Sequence, residues 1–456
     1  MNYVRQPSTV CAALAIWCVA AVAPPVAPPS QPQSAPAQKD AAQKDSAKSK
    51  DNSKAAPKAT AKPKREAGLI FGIAKAPTKA PGTIRLAAYN IENFFDGVDD
   101  PTLSGEYDDI NMQTSEDRCK SLAKAIHDLD ADVLALEEVE GEDALRWFRD
   151  TYLKDMGYEF LASKEVGYYR GVEQSLLSRF PIKDVQVWTS EDLAPMEKYI
   201  PKDADQRKKE GWGEDPKEKE PLQFQRSPLK VSIGLPDHTT LIVYVLHHKA
   251  GGKATVHHRE LEALRMNELV RADLQQNANA LVAVVGDFNA TPNEKAAKLY
   301  RDKKFAGLVS AYEFRPEAAK TKKSAAQDST NSGDTAQADE SADDSLDKAD
   351  APSKDDDAKN AADKKAAKNL YLTHITNRCI DYIMLSPALV KLAVPKSFFV
   401  LGTLMPGSNY DYKKDKPPAG YASDHCPIAL DFTVETAKTA KPKTNADVPA
   451  AKEVVK

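Results

Sequence analysis

The stretch LVAVVGDFNATP, residues 281–292, indicates the fold most directly. It opens with an apolar run, which predicts a strand buried on both faces. The run ends in Asp287 and Asn289, one on either side of Phe288. Successive residues of a strand point to opposite faces, so Asp287 and Asn289 project together while Phe288 turns into the core. A carboxylate and an amide at this end of a buried strand lie where open α/β sheets place their sites. An Asx turn that closes the strand is the alternative interpretation.

Other apolar segments end or begin in polar residues in the same way. These predicted strands, each with its polar residue, are 83–90 with Asn90, 131–136 with Glu138, 241–246 with His247, 380–385 with Asp381, and 428–432 with Asp424 and His425 before it. A helix is predicted after a capping box at Thr114 and Asp117, and a second over residues 257–275. Strands that alternate with helices in this order are typical of a layered α/β domain.

These polar residues predict a site rather than a set of strand caps. Clustered carboxylates repel one another unless a cation or protons neutralise them. Carboxylate and amide oxygens with no thiolate nearby are hard ligands, which suit magnesium, manganese or calcium rather than structural zinc. Strand alternation lets only one of His247 and His248 face the site. The other neighbouring histidines are expected at the surface: His257, His258 and His374.

The folded region is shorter than the chain of 456 residues. Residues 1–21 are predicted to be a signal peptide, because a 14-residue apolar run follows Arg5 and is too short to span a membrane. A lipid anchor at Cys18 is the alternative. Segments poor in apolar residues are predicted to be disordered, namely a basic Ala/Lys/Pro-rich tether (22–82), an insertion (317–368) with 13 acidic and 9 basic residues, and a tail (434–456). One catalytic domain, 83–433, remains.

The ordered motifs resemble the endonuclease/exonuclease/phosphatase superfamily, which includes deoxyribonuclease-like and abasic-site endonuclease-like enzymes. The motifs that carry the resemblance are YNIENFFD, LALEEVE, LLSRFPI, LHHKAGG, VVGDFNATP, CIDYIMLS and SDHCPIALDF, in this order. The resemblance implies a four-layered α/β sandwich, in which helices flank two central mixed β-sheets. It also implies hydrolysis of phosphoric esters that depends on a divalent metal, expected to be Mg²⁺ with Mn²⁺ or Ca²⁺ as alternatives.

The resemblance implies a role for each site residue. Glu138 matches the main metal-binding glutamate, and Asn90 and Asp424 match residues that complete or adjoin the metal site. Asp287 matches the residue that orients or deprotonates the attacking water, and Asn289 a phosphate-contacting amide. The remaining matches are His425 paired with Asp381 as a dyad beside the phosphate, His247 as a second phosphate-binding or proton-donating histidine, and Glu92 where a further acid is sometimes found.

Three classes of function compete. The first is an exported enzyme, periplasmic or extracellular, that hydrolyses nucleic-acid phosphodiester bonds, for which the basic tether would add affinity. Tyr168, Tyr169 and Arg170 would then stack on a base or contact phosphate, although ordinary loop packing explains them equally. The second is a phosphatase or phospholipase-type enzyme that acts on inositol phosphates, sphingolipid or small phosphoesters. The third is a catalytically silent binding module, against which the full set of site residues argues. The chain is expected to be a monomer without a stable protein partner and without a transmembrane segment once the signal is removed.

Overall fold

Two six-stranded sheets lie at the centre of the molecule. The structure, a computed structural model, describes residues 66–103, 109–214, 221–316, 369–407, 409–411 and 414–434, and all of them fall in one compact unit. The predicted signal peptide, most of the predicted tether, the acidic insertion and the tail beyond residue 434 lie outside the described residues.

The domain contains both strands and helices along the chain. The strands are β1 (Gly68–Leu69), β2 (Thr83–Phe94), β3 (Val133–Val139), β4 (Phe160–Ser163), β5 (Glu173–Ser178), β6 (Ile182–Val187), β7 (Leu229–Gly234), β8 (Thr240–His247), β9 (Leu281–Asp287), β10 (Val309–Ser310), β11 (Asp381–Leu385), β12 (Phe399–Val400), β13 (Leu404–Met405) and β14 (Ile428–Thr433). The α-helices are α1 (Glu116–Leu129), α2 (Glu142–Tyr152), α3 (Ala204–Glu210), α4 (Val256–Gln276), α5 (Lys295–Leu299) and α6 (Pro387–Val390).

Both large sheets are mixed. The first has the order β12-β14-β2-β3-β5-β4, and the second has the order β10-β11-β9-β8-β7-β6. Strands β2 and β3 are parallel, as are β8 and β9, while the other pairings within these sheets are antiparallel. Each parallel pair is joined by a crossover that contains a long helix, α1 in the first sheet and α4 in the second, as parallel strands require.

Three apolar layers hold the sandwich together. Alternate residues of the two sheets meet in a central core that includes Leu86, Val133, Val243, Val285 and Ile383, all fully buried. The opposite faces of the same strands pack against helices, β2 and β3 against α1 and α2, and β8 and β9 against α4. The order helix, sheet, sheet, helix confirms the predicted four-layered sandwich.

Gly286 allows the two sheets to approach at the site. Its φ is +123°, and a Cβ atom there would lie 2.1 Å from the Leu246 carbonyl oxygen and 2.8 Å from Glu137 Oε1. Any side chain at this position would therefore push strand β8 or the Glu137 carboxyl away. The small residue in the GDFN motif is a requirement of packing directly beneath Asp287.

The structure corrects several predictions outside the site. The predicted tether overlaps the folded domain, because Gly68–Leu69 pairs with Leu404–Met405 and Phe71 is buried in the central core. The cap of α1 is Ser115 rather than Thr114, whose hydroxyl instead accepts a hydrogen bond from the Phe95 amide. His257 and His258 are buried rather than exposed, because other elements of the domain cover the start of α4.

Candidate active site

The register of the strands brings the predicted residues to one end of the molecule. In the second sheet, Asp287 pairs with His247 on the neighbouring parallel strand and with Asp381, the first residue of antiparallel β11. Asn90 lies at the corresponding end of the first sheet, and its side-chain amide donates to Asp287 Oδ2 across the sandwich at 3.5 Å. Asp424 and His425 arrive on the segment that precedes β14, which runs antiparallel to β2.

Asp287 lies at the centre of this group. Its Oδ1 accepts a hydrogen bond from the Asn289 amide at 2.7 Å. Its Oδ2 lies 3.4 Å from His247 Nε2 and 3.7 Å from His425 Nε2, and it accepts from the Asn289 side chain at 3.3 Å. Burial, with Asp381 and Glu138 nearby, raises the pKa of Asp287 to about 7, although His425 opposes the shift. A carboxylate with a pKa close to neutral is matched to proton transfer at physiological pH.

His425 and Asp381 form the predicted dyad. His425 Nδ1 lies 3.0 Å from both carboxylate oxygens of Asp381. Burial alone would lower the pKa of His425, but the carboxylates of Asp381, Asp424 and Asp287 outweigh it and hold this pKa well above its usual value. The dyad therefore presents a charged imidazolium whose Nε2 faces Asp287.

His247 is the second histidine of the site, and its electrostatic environment is the opposite of that of His425. It is the histidine that faces the site, whereas His248 turns into the protein and its Nε2 lies 2.7 Å from the Tyr300 hydroxyl. Burial lowers the pKa of His247 well below its usual value, and the nearby cations Arg226, His425 and Arg170 add to the shift. His247 is therefore a neutral imidazole in the site.

Glu138 lies on the far side of His247. Its Oε2 accepts a hydrogen bond from the Asn93 amide at 2.9 Å, and its Oε1 is 3.7 Å from His247 Nδ1. The φ angle of Glu138 is +64°, which turns its side chain out of the regular alternation of β3.

Asp424 lies beside a second acidic residue, Glu92. The Asp424 amide donates to Glu92 Oε2 at 3.2 Å, and the Tyr421 hydroxyl donates to the same oxygen at 2.5 Å. Burial raises the pKa of Glu92 to about 7, and the charge of Asp424 adds to the shift. Burial alone would raise the pKa of Asp424, but His425 and His374 outweigh it and lower that pKa.

Two groups of side chains offer ligand atoms close enough to share a metal ion. In each group the atoms lie within 4.8 Å of one another; the groups are His374 with Asp424 and His425, and Asp287 with Asp381 and His425. Glu138 is in neither group. The donor chemistry fits a divalent cation, because buried carboxylates that meet in one place repel one another unless positive charge neutralises them.

Buried polar side chains support the site from behind. Glu262 on α4 accepts from the amides of Lys249 (2.6 Å) and Gln225 (3.1 Å), and His248 Nδ1 lies 3.2 Å away. The His248 carbonyl in turn accepts from the Asn289 side-chain amide at 3.1 Å. Glu262 thus links the segment that follows β8 to the segment that precedes β7. Its contact with His248 connects it indirectly to Asn289.

Several residues at the site were expected elsewhere or were not expected. His374 was placed at the surface but contacts Asp424, with its Nε2 3.3 Å from Asp424 Oδ2. Glu173 was not predicted at the site; it is buried and accepts from the Val166 amide at 3.3 Å. Arg226 was not predicted; its guanidinium lies over the Tyr168 ring, 5.0 Å from the ring centre. Arg226 follows a segment rich in Lys, Glu and Pro, which has no helical or strand periodicity from which its position could be predicted.

The fold and the site together define an α/β-sandwich hydrolase with a carboxylate–histidine centre. A model of the Endonuclease/Exonuclease/phosphatase family matches residues 88–425, and the protein belongs to this family. Its activity class is accordingly phosphoric-ester hydrolysis.

Solved structures with similar folds have low sequence identity to the chain. The human Nocturnin catalytic domain with bound sulfate is 17% identical, with 78% of this chain and 96% of that chain covered and a TM-score of 0.42. Truncated Caenorhabditis elegans TDP2 is 15% identical (77% and 98% covered, TM-score 0.41). A Bacteroides thetaiotaomicron mannosyl-6-phosphatase is also 15% identical (76% and 98% covered, TM-score 0.40). No curated protein sequence matches the chain significantly.

Proposed function

We propose that the protein is an exported, divalent-metal-dependent phosphodiesterase that hydrolyses nucleic acid. The observation that carries the hydrolytic part is the meeting of Asp287 with the His425–Asp381 dyad at the ends of paired strands. A carboxylate with a near-neutral pKa beside a charged imidazolium supplies both a proton acceptor and a positive charge for a phosphate.

Asp287 acts as the general base in this proposal. It takes a proton from the attacking water, and the Asn289 amide and side chain hold its carboxylate in place. Its burial places the proton acceptor in a poorly solvated site and raises its pKa toward neutrality. General acid–base groups of this kind contribute roughly 10²–10⁴-fold to a rate.

His425 and His247 make different contacts with the phosphate in this proposal. Charged His425 donates from Nε2 to a non-bridging phosphate oxygen, while Asp381 at Nδ1 fixes the tautomer and orientation of the ring. Neutral His247, with Nε2 near Asp287, binds the phosphate from the opposite side. Its Nδ1 is buried and has no hydrogen-bond partner among the described residues, so this atom is available to a ligand or to water.

The metal-binding residues in this proposal are Glu138, Asn90 and Asp424. Their oxygen donors suit a hard cation, and Mg²⁺ is the proposed ion with Mn²⁺ or Ca²⁺ as alternatives. A bound divalent cation would supply charge stabilisation to the phosphoryl and leaving oxygens.

Cationic and aromatic side chains on one rim support nucleic acid as the substrate. Arg170 donates to the Asn93 side chain close to Glu138, and Arg226 stacks on Tyr168. Tyr169 is 55% exposed next to Tyr168, and the two tyrosines border a cavity of about 330 Å³. Tyr169 with Arg170 offers an exposed ring and a cation for a single strand, whereas Tyr168 and Arg226 are themselves buried.

The alternative is a phosphatase or phospholipase-type activity on inositol phosphates, sphingolipid or small phosphoesters. A lipid-acting enzyme needs an exposed apolar hairpin at the membrane, and none of the long loops has an apolar sequence of that kind. None of the helices in the described ranges has the length and apolar character needed to cross a bilayer.

A substrate panel tests the proposal. Purified protein is incubated with Mg²⁺, Mn²⁺ or Ca²⁺ and with plasmid DNA, RNA, bis-p-nitrophenyl phosphate, sphingomyelin and inositol phosphates in parallel. We expect cleavage of nucleic acid and of the small diester, loss of both in Asp287→Asn, and partial recovery of Glu138→Gln at high metal concentration. Turnover of a monoester or sphingomyelin with intact nucleic acid would reject nuclease activity in favour of the alternative.

Export is a separate part of the proposal, together with a monomeric state and no stable protein partner. The support for export is the apolar run after Arg5. Mass spectrometry of the mature protein should find an N-terminus near residue 22. A product that begins at Met1 would contradict export, and a lipid-modified Cys18 would replace the soluble form with an anchored one.

A further inference from the structure

The segment between β2 and α1 folds back beside the end of β3. The Phe95 amide donates to the Thr114 hydroxyl at 3.0 Å, and the Thr114 amide donates to the Phe95 carbonyl at 3.0 Å. On the β3 side, the Glu140 amide donates to the Phe94 carbonyl at 2.9 Å, and the Asp96 amide donates to Glu140 Oε2 at 2.8 Å. These bonds hold the Glu140 carboxyl against the start of the β2–α1 segment.

Asp109 brings a second carboxylate to this place. It is only 1% exposed, although it lies on a connection between elements. Its Oδ2 accepts from the Asp100 amide at 2.9 Å, whereas its Oδ1 is buried and has no hydrogen-bond partner among the described residues. A buried carboxylate oxygen that binds nothing is costly, so this atom indicates a ligand or a proton.

The carboxyl groups of Asp109 and Glu140 face each other. They lie within hydrogen-bonding reach, although both are acceptors when ionised. Burial raises the pKa of Glu140 to about 8, and the Asp109 and Asp96 carboxylates add to the shift, while the Asp96 amide opposes it. Two carboxyls placed in this way require either a shared proton or a bound cation between them.

The surroundings of the pair attract cations. A cleft of about 560 Å³ lies beside it and is lined by Asp96, Asp100 and Glu140 among seven acidic side chains and one lysine. A cleft with charges of one sign raises the local concentration of the opposite ion. The cleft also has room for water molecules that would complete the shell of an ion.

We propose that Asp109 and Glu140 bind a calcium ion at a position separate from the catalytic metal, with Asp96 as a third negative charge beside it. Ca²⁺ takes roughly six to eight oxygen ligands in irregular geometry, whereas Mg²⁺ demands a near-ideal octahedron. Two carboxylates on separate segments, completed by water, therefore suit Ca²⁺ better. The ion joins the β2–α1 segment to the end of β3.

The site does not depend on the proposed function. The hydrogen bonds that position its carboxylates come from the amides of Asp96 and Asp100, rather than from active-site residues. Its role is to stabilise the fold at this end of the first sheet, whichever phosphoric ester is hydrolysed.

Calcium binding to the purified, chelator-treated protein tests this site. Calorimetric titration with Ca²⁺ is carried out in excess Mg²⁺, so that a site selective for Ca²⁺ is observed. We expect Asp109→Asn to weaken this binding by at least about 10-fold, which is the smaller effect seen when a residue that only orients a metal ligand is lost. Glu140→Gln should weaken it in the same way, which provides a second variant if the first fails to fold.

Thermal unfolding of Asp109→Asn should change sign with the ion. The asparagine keeps an oxygen for the Asp100 amide but removes the repulsion from Glu140. In chelator, the variant should therefore unfold at the same temperature as the wild type or at a higher one. With saturating Ca²⁺ it should unfold at a lower temperature, because only the wild type gains stability from the ion.

Two controls isolate the effect. Asp99→Asn makes the same change of charge in the same segment, but Asp99 is exposed, so Ca²⁺ affinity should be retained. Glu138→Gln should retain it as well, because Glu138 belongs to the catalytic metal in the proposed function.

Three results would overturn the inference. Equal Ca²⁺ affinity in Asp109→Asn and the wild type would exclude Asp109 as a ligand. A wild-type unfolding temperature that does not respond to Ca²⁺ in excess Mg²⁺ would indicate a shared proton instead. Loss of Ca²⁺ binding in Glu138→Gln would assign the ion to the active site. Calcium binding that depends on Asp109, in a protein that cleaves no nucleic acid, would uphold this site and reject only the proposed substrate.

Discussion

His247 and His425 differ because their neighbours differ. Both are buried, and burial by itself disfavours the charged form of each imidazole. Three carboxylates around His425 reverse that effect, while Arg226 and Arg170 reinforce it at His247. One site thus holds a charged and a neutral imidazole on either side of Asp287, which is a pair suited to different contacts with one phosphate.

The dyad leads to a prediction about pH dependence. A carboxylate at Nδ1 raises the pKa of His425, so the active imidazolium persists to higher pH and is lost as the pH rises through that value. Asp381→Asn should therefore move the alkaline fall in activity to lower pH. His425→Ala should raise the barrier by about 2.7–4 kcal/mol, as when one oxyanion donor is removed. Rate profiles of both single variants and the double variant measure these effects.

The double variant should lose little more than His425→Ala alone, because Asp381 acts through His425. Asp273→Asn serves as the control, since Asp273 bonds Lys230 and Tyr244 rather than any site residue. Its pH profile should match the wild type. Additive losses in the cycle would make Asp381 an independent metal ligand or structural residue instead.

For individual residues, the sequence predicted those at strand ends better than those in loops. The position of Asp287 follows from alternation, because the end of an apolar run fixes which face each side chain occupies, whereas His247 and Asp381 were assigned by the family resemblance. His374 could not be placed, since its contact with Asp424 depends on backbone pairing between segments 50 residues apart in sequence. Glu173 is buried for a related reason, because its carboxylate accepts from the Val166 amide of the preceding loop.

Among the secondary-structure elements, helix α4 shows what a periodic sequence pattern can and cannot predict. Its extent, Val256–Gln276, matches the predicted 257–275 closely. The pattern did not predict that Glu260 and Glu262 are both completely buried. Their partners are the amides of Gly213, Gln225 and Lys249, which come from loops that no helical period describes.

These two glutamates should affect stability with opposite signs. Burial alone would raise the pKa of Glu262, but His248, His258 and the Lys249 amide outweigh it and lower the pKa to about 2. Burial raises the pKa of Glu260 to about 7. Ionised Glu262 therefore stabilises the fold above pH 4.5, and this contribution is lost as the pH falls toward 2. Glu260 is protonated in the fold below about pH 7, so its contribution to stability is lost as the pH rises from 4.5 through 7.

Glu262→Gln should therefore lower the free energy of unfolding at pH 8 by roughly 3 kcal/mol, from a pKa difference of about 2.5 units. The amide also puts an NH₂ group against one of the two backbone donors. Glu260→Gln keeps one acceptor oxygen for Gly213 and should be neutral or stabilising at pH 8. Urea unfolding of both variants between pH 5 and 8 measures this. Losses of the same size and sign at pH 8 would contradict the opposite directions of the two pKa shifts.

For the whole molecule, the sequence predicted the class of fold but not the neighbours of each strand. Hydrophobic patterns locate the strands, yet the sheet order β12-β14-β2-β3-β5-β4 depends on long-range pairings that leave no local signal. The fold boundary was misplaced for the same reason. Residues 69–73 (LIFGI) are apolar but lie at the end of a long Ala/Lys/Pro-rich segment, and Phe71 is buried in the core while Gly68–Leu69 pairs with β13.

The two ends of the acidic insertion meet on the domain surface, which leads to the last prediction. The Tyr371 hydroxyl donates to the Pro316 carbonyl at 3.4 Å, and the Tyr312 hydroxyl donates to the Tyr371 carbonyl at 3.4 Å. Tyr371 also stacks on Phe398 with 6.3 Å between ring centres. The chain therefore leaves and returns at one place, and a much shorter connection can span it.

Deletion of residues 325–362 should leave turnover of a small diester within a few-fold of the wild type. The entropic cost of closing a loop falls by roughly 1 kcal/mol when the loop is shortened about fourfold, so the free energy of unfolding should be equal or slightly higher. Tyr371→Ala in the full chain is the contrasting variant, because it loosens the anchor only three residues before His374. It should impair turnover more than the deletion does. A deletion variant that fails to fold would show that the removed segment packs on the domain.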